Sequence, residues 1–318
     1  MKSSPTARTY AYFFERGIKL LKPGGRLGFI SSSTFFKTGS GAPLRDFLRT
    51  KATLETVVDF GDHQIFGGVT TYPAILTMQA GTPRTRHELQ FWKIGEMPLG
   101  SFADAFADAA KPFPQEALGR GSWELEGDAL RALRAKITAG KPTLKEVYGS
   151  PFYGIKTGLN EAFVIDTPTK ERICRDDPHS AELLLPFLEG KDLKRWRVES
   201  RGLWIIYIPK NRIDIENYPA IKNWLLPFKD RLEKRATKQN WFELQQPQDR
   251  YKAGFLAGGI VYPDISQGPK FCQSREGFLY DCTTFIISGA DRFLTAILNT
   301  KLSWFLLLSL SNPLRGGV

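Results

Sequence analysis

A helix that must stop and hand over to a strand sets the first constraint on this chain. From Tyr10 to Leu21, residues Tyr10, Phe13, Phe14, Ile18 and Leu21 recur at helical spacing on one face, while Glu15, Arg16 and Lys19 fall elsewhere. Lys22-Pro23-Gly24-Gly25 then ends the helix, because Pro lacks the donor to continue it and Gly accepts the left-handed turn that follows. The apolar run Arg26-Leu-Gly-Phe-Ile-Ser-Ser-Ser-Thr34 has the length and composition of a buried strand. Helix, stop and strand make one αβ step of an α/β fold, and the apolar helix face requires a sheet beneath it.

The same alternation continues. Pro43–Arg49 predicts a helix, with Leu44, Phe47 and Leu48 on one face, and strands are expected at 54–60, 72–78 and 88–94. Residues 1–95 therefore read as the end of a mixed sheet. Residues 96–121, with Pro98, Pro112 and Pro114, read as a linker. Beyond it, helices are expected at 128–137 and 143–147, a strand at 152–160 ending in a Gly-containing turn, and further apolar residues at 162–165. Next come a helix at 180–185, a strand at 202–208 and an amphipathic helix at 219–235, broken near Pro227 and carrying Lys222, Lys229, Arg231, Lys234 and Arg235. Strands at 259–262, 270–272 and 278–287 precede a C-terminal helix from Asp291 to about Leu307.

With 318 residues and 42% hydrophobic content, the chain can build two cores. A net charge of +11 and a pI near 9.5 favour an acidic partner, nucleic acid above all, although a generally basic surface gives the same numbers. Cys174, Cys272 and Cys282 are too few and too scattered for a disulfide framework and offer no metal-ligand spacing, which fits a reducing cytoplasm. The run Leu302–Leu310 is about half the length needed to span a bilayer, so it reads as a buried helix and no membrane partner is expected.

Several segments carry candidate chemistry. Gly154-Ile-Lys-Thr-Gly-Leu-Asn160 combines small residues that admit a phosphate, Lys156 to neutralise it, and Thr157 and Asn160 to hydrogen-bond phosphate or base edges; an ordinary exposed turn has the same composition. Lys191, Lys194, Arg195 and Arg197 surround Trp196, which suits backbone contact with stacking, or simply a solvated charge run. Gly39 and Gly41, after a strand and before a helix, with Asp59 on the next strand, imitate a nucleotide-binding loop but lack the three-glycine fingerprint. Asp177, Glu189 and Lys191 fit the loose carboxylate-carboxylate-lysine pattern of metal-dependent nucleases, which often arises by chance. His63, His87 and His179 have no evident catalytic partners.

Taken together, the aromatic helix, Leu-Leu-Lys-Pro-Gly-Gly-Arg, the apolar strand and Ser-Ser-x-Phe-Phe resemble the late part of the catalytic domain of adenine-specific DNA methyltransferases of restriction-modification systems. The second half resembles their TaqI-like target-recognition domain, through Gly154–Ile165, Leu184–Asp192 with Trp196, Tyr218 with the basic helix and Trp241-Phe-Glu-Leu244, and Ile260-Val-Tyr-Pro-Asp264. The resemblance implies an α/β fold: a partial Rossmann-like methyltransferase sheet over 1–95, a linker over 96–121, and an α+β DNA target-recognition domain over 122–318. Within His63–Leu76, Phe66 matches the aromatic residue that the family stacks on a flipped-out target base, although any single Phe is more often core.

The resemblance further implies double-stranded DNA as partner, contacted by Lys156, Thr157, Gly158, Asn160, Lys191, Arg195, Trp196 and Trp241. Neither the family's Asn/Asp-Pro-Pro-Tyr/Phe tetrad nor its cofactor loop occurs in this sequence, and Asn312-Pro-Leu-Arg is no substitute. S-adenosylmethionine is thus expected for a full-length enzyme and no cofactor for this chain alone, which should bind DNA without methylating it. Two other readings stay open: a subunit completing a split methyltransferase with an upstream partner, and a small nucleotide-dependent enzyme built on Gly39 and Gly41.

Overall fold

The computed structural model describes residues 9–68 and 71–311. Asn312-Pro-Leu-Arg and the final Leu314–Val318 lie outside them, as do Val69 and Thr70 within the Phe66 motif. The chain divides into two compact units: residues up to Gly140 together with the chain from Phe305 onward, and Lys141–Trp304.

The first unit opens with α1 (Thr9–Leu20), β1 (Arg26–Ser32), α2 (Ala42–Lys51), β2 (Ala52–Asp59), β3 (Pro73–Ala80) and β4 (Glu88–Lys93), close to the expected spans. It continues through α3 (Phe102–Ala109), β5 (Lys111–Pro114) and α4 (Asp128–Thr138). The strands form one sheet in the order β1-β3-β2-β4-β5, a mixed α/β arrangement as expected. Both β1 and β2 run antiparallel to β3, and β2 runs parallel to β4. Buried Phe14, Phe35, Phe36, Leu48, Leu54, Leu76 and Trp123 fill one core, with Phe36 stacked on Trp123 at 5.8 Å between centroids. The apolar face of α1 is rotated from the expected one: Phe14 and Ile18 are buried, but Phe13 is 60% exposed.

Residues 96–121 are structured and belong to the first unit, so the stretch expected to be a linker is not one. β5 pairs with β4, and it tolerates Pro112 and Pro114 because an edge strand needs donors on one side only. Gln115, fully buried, extends the pairing with its side chain: its carboxamide accepts the Leu54 N–H at 2.8 Å and donates to the Ala52 carbonyl at 2.8 Å. The division between units falls after Gly140, beyond α4, rather than at 121.

The second unit contains α5 (Leu144–Tyr148), β6 (Phe152–Tyr153), α6 (Asn160–Phe163), β7 (Val164–Asp166), α7 (Thr167–Asp176), β8 (Leu184–Leu188), β9 (Leu203–Ile206), α8 (Pro219–Leu225) and α9 (Lys229–Glu233). After these come α10 (Lys252–Ala257), β10 (Gly259–Pro263), β11 (Cys272–Gln273), β12 (Leu279–Tyr280), β13 (Thr284–Ser288) and α11 (Arg292–Leu298). Two four-stranded sheets, β11-β10-β13-β6 and β12-β8-β9-β7, share one core that includes Ile155, Phe163, Phe187, Ile205, Val261, Tyr280 and Ile286. The expected strand 278–287 is two strands in different sheets, separated at Asp281–Thr283. Residues 178–183 form a 3₁₀ turn leading into β8 rather than a helix through 185.

The expected C-terminal helix is also two, α11 and α12 (Lys301–Leu310), bent by 69°. The break lies at Asn299, whose buried side chain bonds the Phe271 backbone, and at Thr300, whose hydroxyl caps the Ser303 N–H at 3.1 Å. α12 is not a buried helix: Leu302, Leu308 and Leu310 are 43–58% exposed, since a helix apolar all round can turn only one side to a core. Lys37 caps its C-terminus, donating to the carbonyls of Leu308 and Ser311 at 3.2 and 2.8 Å. Among the described residues no single helix is long and apolar enough to cross a membrane.

At Gly154 the backbone passes so close to the β12–β13 turn that a Cβ would lie 2.1 Å from the Tyr280 carbonyl oxygen and 2.3 Å from that of Asp281. Gly154→Ala is expected to cost about 3 kcal/mol, as overpacking against main chain that cannot yield does, read as a lower urea midpoint.

Candidate nucleic-acid interface

In the first unit the sheet register gathers the candidate residues at one edge. Ser32 lies opposite Pro73, Asp59 opposite Ala74 and, across the parallel pair, Asp59 beside Lys93. The carboxyl ends of β1, β2 and β4 therefore share an edge with the start of β3, the side where open α/β sheets hold ligands. Phe66 belongs to the loop between β2 and β3 that rises from this edge. It is 43% exposed, so it is not a core residue. Burial pushes the Asp59 carboxyl above its ordinary value against the opposing pull of the Gly61 N–H, Lys93 and Lys37; burial, aided by Lys93, lowers Lys37. His63 meets the Gly95 carbonyl at 3.0 Å, which ties the Phe66 loop to the end of β4.

The Gly39–Gly41 loop does not form a nucleotide cradle. Gly41 is buried, and a Cβ there would lie 2.4 Å from the Phe35 carbonyl oxygen, so its lack of a side chain serves packing. The loop turns carbonyls inward, to the buried Arg45, which donates to Phe35 and Thr38 at 2.6 and 2.8 Å; phosphate needs the reverse polarity. These residues do not fit a cofactor's phosphate or ribose.

In the second unit, residues 155–158 run antiparallel to Gln245–Gln246, exchanging main-chain bonds at Lys156 and Thr157. Lys156 is exposed. Thr157 is 3% exposed, and its hydroxyl donates to Asn160 at 2.5 Å while accepting the Leu159 N–H at 3.2 Å. Thr157 therefore spends its hydroxyl, and Asn160 its carboxamide oxygen, on shaping the turn. Gly158 takes φ +83°, with Arg235 against it. Arg235 in turn donates to the carbonyls of Thr157 and Trp241 at 3.0 and 2.9 Å, joining the turn to Trp241. Trp241 is half-buried against the core, with Lys229 5.5 Å from its ring centroid.

A second basic turn stands on the same support. The Ile155 main chain bridges to Asp281, and the Gly190 N–H meets the Thr283 hydroxyl at 3.3 Å, so both turns pack on the β12–β13 connection. Lys191 pairs with Glu189 at 3.0 Å, and Arg201 grips Glu189 and buried Asp192, each at 2.5 Å. Burial raises Glu189, but its bonds to Arg201 and Lys191 outweigh that and hold it below its ordinary value. This clasp takes Glu189 and Lys191 out of the nuclease-like pattern, Asp177 instead accepts the His179 N–H and the Ser180 hydroxyl at 3.1 and 2.6 Å, and among the described residues no cluster could hold a metal ion.

At the tip, Arg195, Trp196 and Arg197 protrude, with Trp196 52% exposed, while Lys194 is half-buried and donates to the Lys191 carbonyl at 2.8 Å. Of the basic helix, Lys222 is tied to Glu216 and Arg231 to Glu161, each at 2.6 Å, and Arg235 is internal. Sequence reasoning missed Arg45, Arg201 and Asn299. It also missed an aromatic row across β11-β10-β13-β6, in which Phe271, Tyr262, Phe285 and Tyr153 follow at centroid spacings of 5.1, 5.6 and 6.4 Å.

Known proteins resemble this chain as follows. Residues 1–66 match the Eco57I restriction-modification methylase family. The chain is 25% identical to type II methyltransferase M.PaeR7I of Pseudomonas aeruginosa, over 98% of this chain and 56% of that one. It is 26% identical to M.XhoI of Xanthomonas vasicola, over 98% and 59%. Over 49% of this chain, and 15% of the other, it is 43% identical to the type II restriction enzyme and methyltransferase RM.Eco57I of Escherichia coli. Among solved structures, the type IIL restriction-modification enzyme MmeI in complex with DNA has the same fold, with a TM-score of 0.62 over 97% of this chain and 39% of that one at 12% identity. The chain is thus similar, over nearly its whole length, to type II methyltransferases of restriction-modification systems. It spans somewhat more than half the length of the first two relatives.

Arg201→Ala would strand the buried Asp192 carboxylate. The expected loss is about 3 kcal/mol at pH 7. Because Glu189 is held below its ordinary value in the folded state, its share is present at neutral pH and fades as pH falls below about 4; unfolding of both proteins across pH checks this.

Proposed function

We propose that this chain is the DNA-recognition and base-pocket portion of an S-adenosylmethionine-dependent, adenine-N6 DNA methyltransferase of a restriction-modification system. The first unit supplies the tail of the catalytic sheet, and the second a TaqI-like target-recognition domain. The observation that carries this reading is the continuity of the match: both type II methyltransferases align across 98% of the chain. Exposure of Phe66 at the carboxyl edge of the sheet supports a stacking role on an extruded adenine, where an aromatic face recovers part of the stacking the base has lost. Lys156, Lys191 and Arg195 hold phosphates, Gly158 and Asn160 line the approach, and Trp196 and Trp241 lie beside them. Thr157 acts by fixing the turn. In a full-length enzyme the cofactor supplies the methyl group. Within these 318 residues there is no tetrad to accept the adenine amine, so the isolated chain binds duplex DNA in the cytoplasm without methylating it.

A second reading, a subunit that completes a split methyltransferase, is favoured by one observation. Among the described residues β1 pairs on one side only, Ile30 on it is 44% exposed, and Phe13 and Leu20 on α1 are 60% and 67% exposed. Ile30→Lys with Phe13→Ser should leave the melting temperature within a few degrees but abolish self-association of the purified chain in light scattering. Association that survives the pair of changes rejects this use of the edge.

The main test is duplex binding across a salt series, with S-adenosylmethionine calorimetry on the same preparation. A steep slope without cofactor heat is expected. Lys156→Ala with Lys191→Ala should weaken binding and reduce the log–log salt slope by about 1 to 2. Unchanged binding rejects these phosphate contacts, and cofactor heat rejects the inactivity of the isolated chain.

A further inference from the structure

Among the described residues Trp196 is the one aromatic residue with a left-handed backbone, φ +75°; the other non-glycine residues there are Arg86, Asn211 and Gln248. A large aromatic side chain avoids this region, and the strain persists only where the surroundings over-determine it. Here they do. The Trp196 N–H donates to the Phe271 carbonyl at 3.2 Å, and the Lys194 N–H donates to the Arg197 carbonyl at 2.9 Å beneath a Leu193–Val198 bridge. Asn299, with no exposed surface, locks Phe271 from both sides: its amide donates to the Phe271 carbonyl at 2.7 Å, and its oxygen accepts the Phe271 N–H at 3.3 Å. The Asn299 carbonyl meanwhile accepts Arg195 at 2.7 Å.

All this bracing holds an indole that contributes nothing to the core. The ring is 52% exposed, with the Arg195 guanidinium 5.2 Å from its centroid. Lys194 and Arg195 carry no ion pair among the described residues, so the tip is basic as well as aromatic. A strained, rigid, exposed indole preceded by two cations that no carboxylate pairs, Lys194 and Arg195, fits a partner that offers flat rings inside an anionic envelope; Arg197 on its other side is paired with Glu199.

We infer that the Trp196 turn is a wedge: Arg195 and Lys194 seat on the DNA backbone while the indole stacks on a base at a partly unstacked step. This rests on the DNA-binding reading above and gives Trp196 a positioning role in it. Stacking of this kind tolerates sequence, so the wedge would fix register on the duplex rather than read bases.

The test uses the full chain with a mixed-sequence duplex, comparing the parent with Trp196→Gly and Trp196→Phe. Glycine adopts the left-handed conformation freely, so Trp196→Gly should keep or raise the melting temperature while duplex affinity falls about tenfold or more, the scale of one lost base–aromatic stack. The salt slope should not change, because no phosphate contact is lost. Trp196→Phe should retain most of the affinity and lose the DNA-induced quenching of indole fluorescence seen in the parent. If the parent binds with a steep salt slope but Trp196→Gly binds within twofold of it, the wedge is overturned and the DNA reading stands. A lower melting temperature with unchanged affinity assigns Trp196 a structural role and also overturns it. A parent that binds no duplex at low salt overturns both.

Discussion

In the second unit the chain leaves one sheet and enters the other within the few residues between Tyr280 and Thr284, and the arrangement of every candidate contact there depends on how that crossing is held. Asp281, 7% exposed, accepts from the Thr283 and Thr284 hydroxyls at 2.7–3.0 Å, while its N–H donates to Leu188 at 3.0 Å. Burial drives its carboxyl above the ordinary value, and the two hydroxyls offset part of that cost. On one side Gly154 lets the Lys156 turn close onto the crossing; on the other Thr283 takes the Gly190 N–H that begins the Lys191–Arg197 turn. Two basic segments far apart in sequence are thereby placed on one support.

Charge alone would have given a misleading map of the surface. Lys222 and Arg231 are each held by a nearby carboxylate, and Arg235 and Arg45 are consumed by backbone carbonyls. Exposed pairs of this sort add at most about 1 kcal/mol of stability, but they remove cations from the field a polyanion would meet. At Lys194–Trp196, cations that no carboxylate neutralises among the described residues coincide with an exposed aromatic, a place the net charge of +11 does not reveal.

Much of the first sheet was legible because its strands are short apolar runs bounded by Gly or Pro, which few other local structures accept. The structured stretch 96–121 was not, since Pro112 and Pro114 argue against a strand everywhere except at a sheet edge, and being an edge is a property of the neighbours. The run Phe278–Ile287 was read as one strand for the converse reason. Its apolar pattern is continuous, and only the pull of two sheets on either side of Asp281 breaks it. Gly39 and Gly41 looked like a phosphate loop because spacing records where glycines are, not which way the intervening carbonyls point.

By itself the sequence determined the αβ order of the first unit, the apolar segments that must be buried, and the exposed chemistry of turns such as Gly154–Asn160 and Lys191–Arg197. These are local facts, fixed by periodicity, by the missing donor of proline and by the steric freedom of glycine. Only the tertiary structure decided which cations stay free, which hydroxyls are spent within their own turns, that Phe66 stands in solvent and Phe36 in a core, and that Trp196 is held in a conformation its side chain resists. Each of those outcomes is set by partners such as Arg201, Asn299 and Asp281, tens of residues away or more from the groups they govern in several cases, and no local pattern encodes such distances.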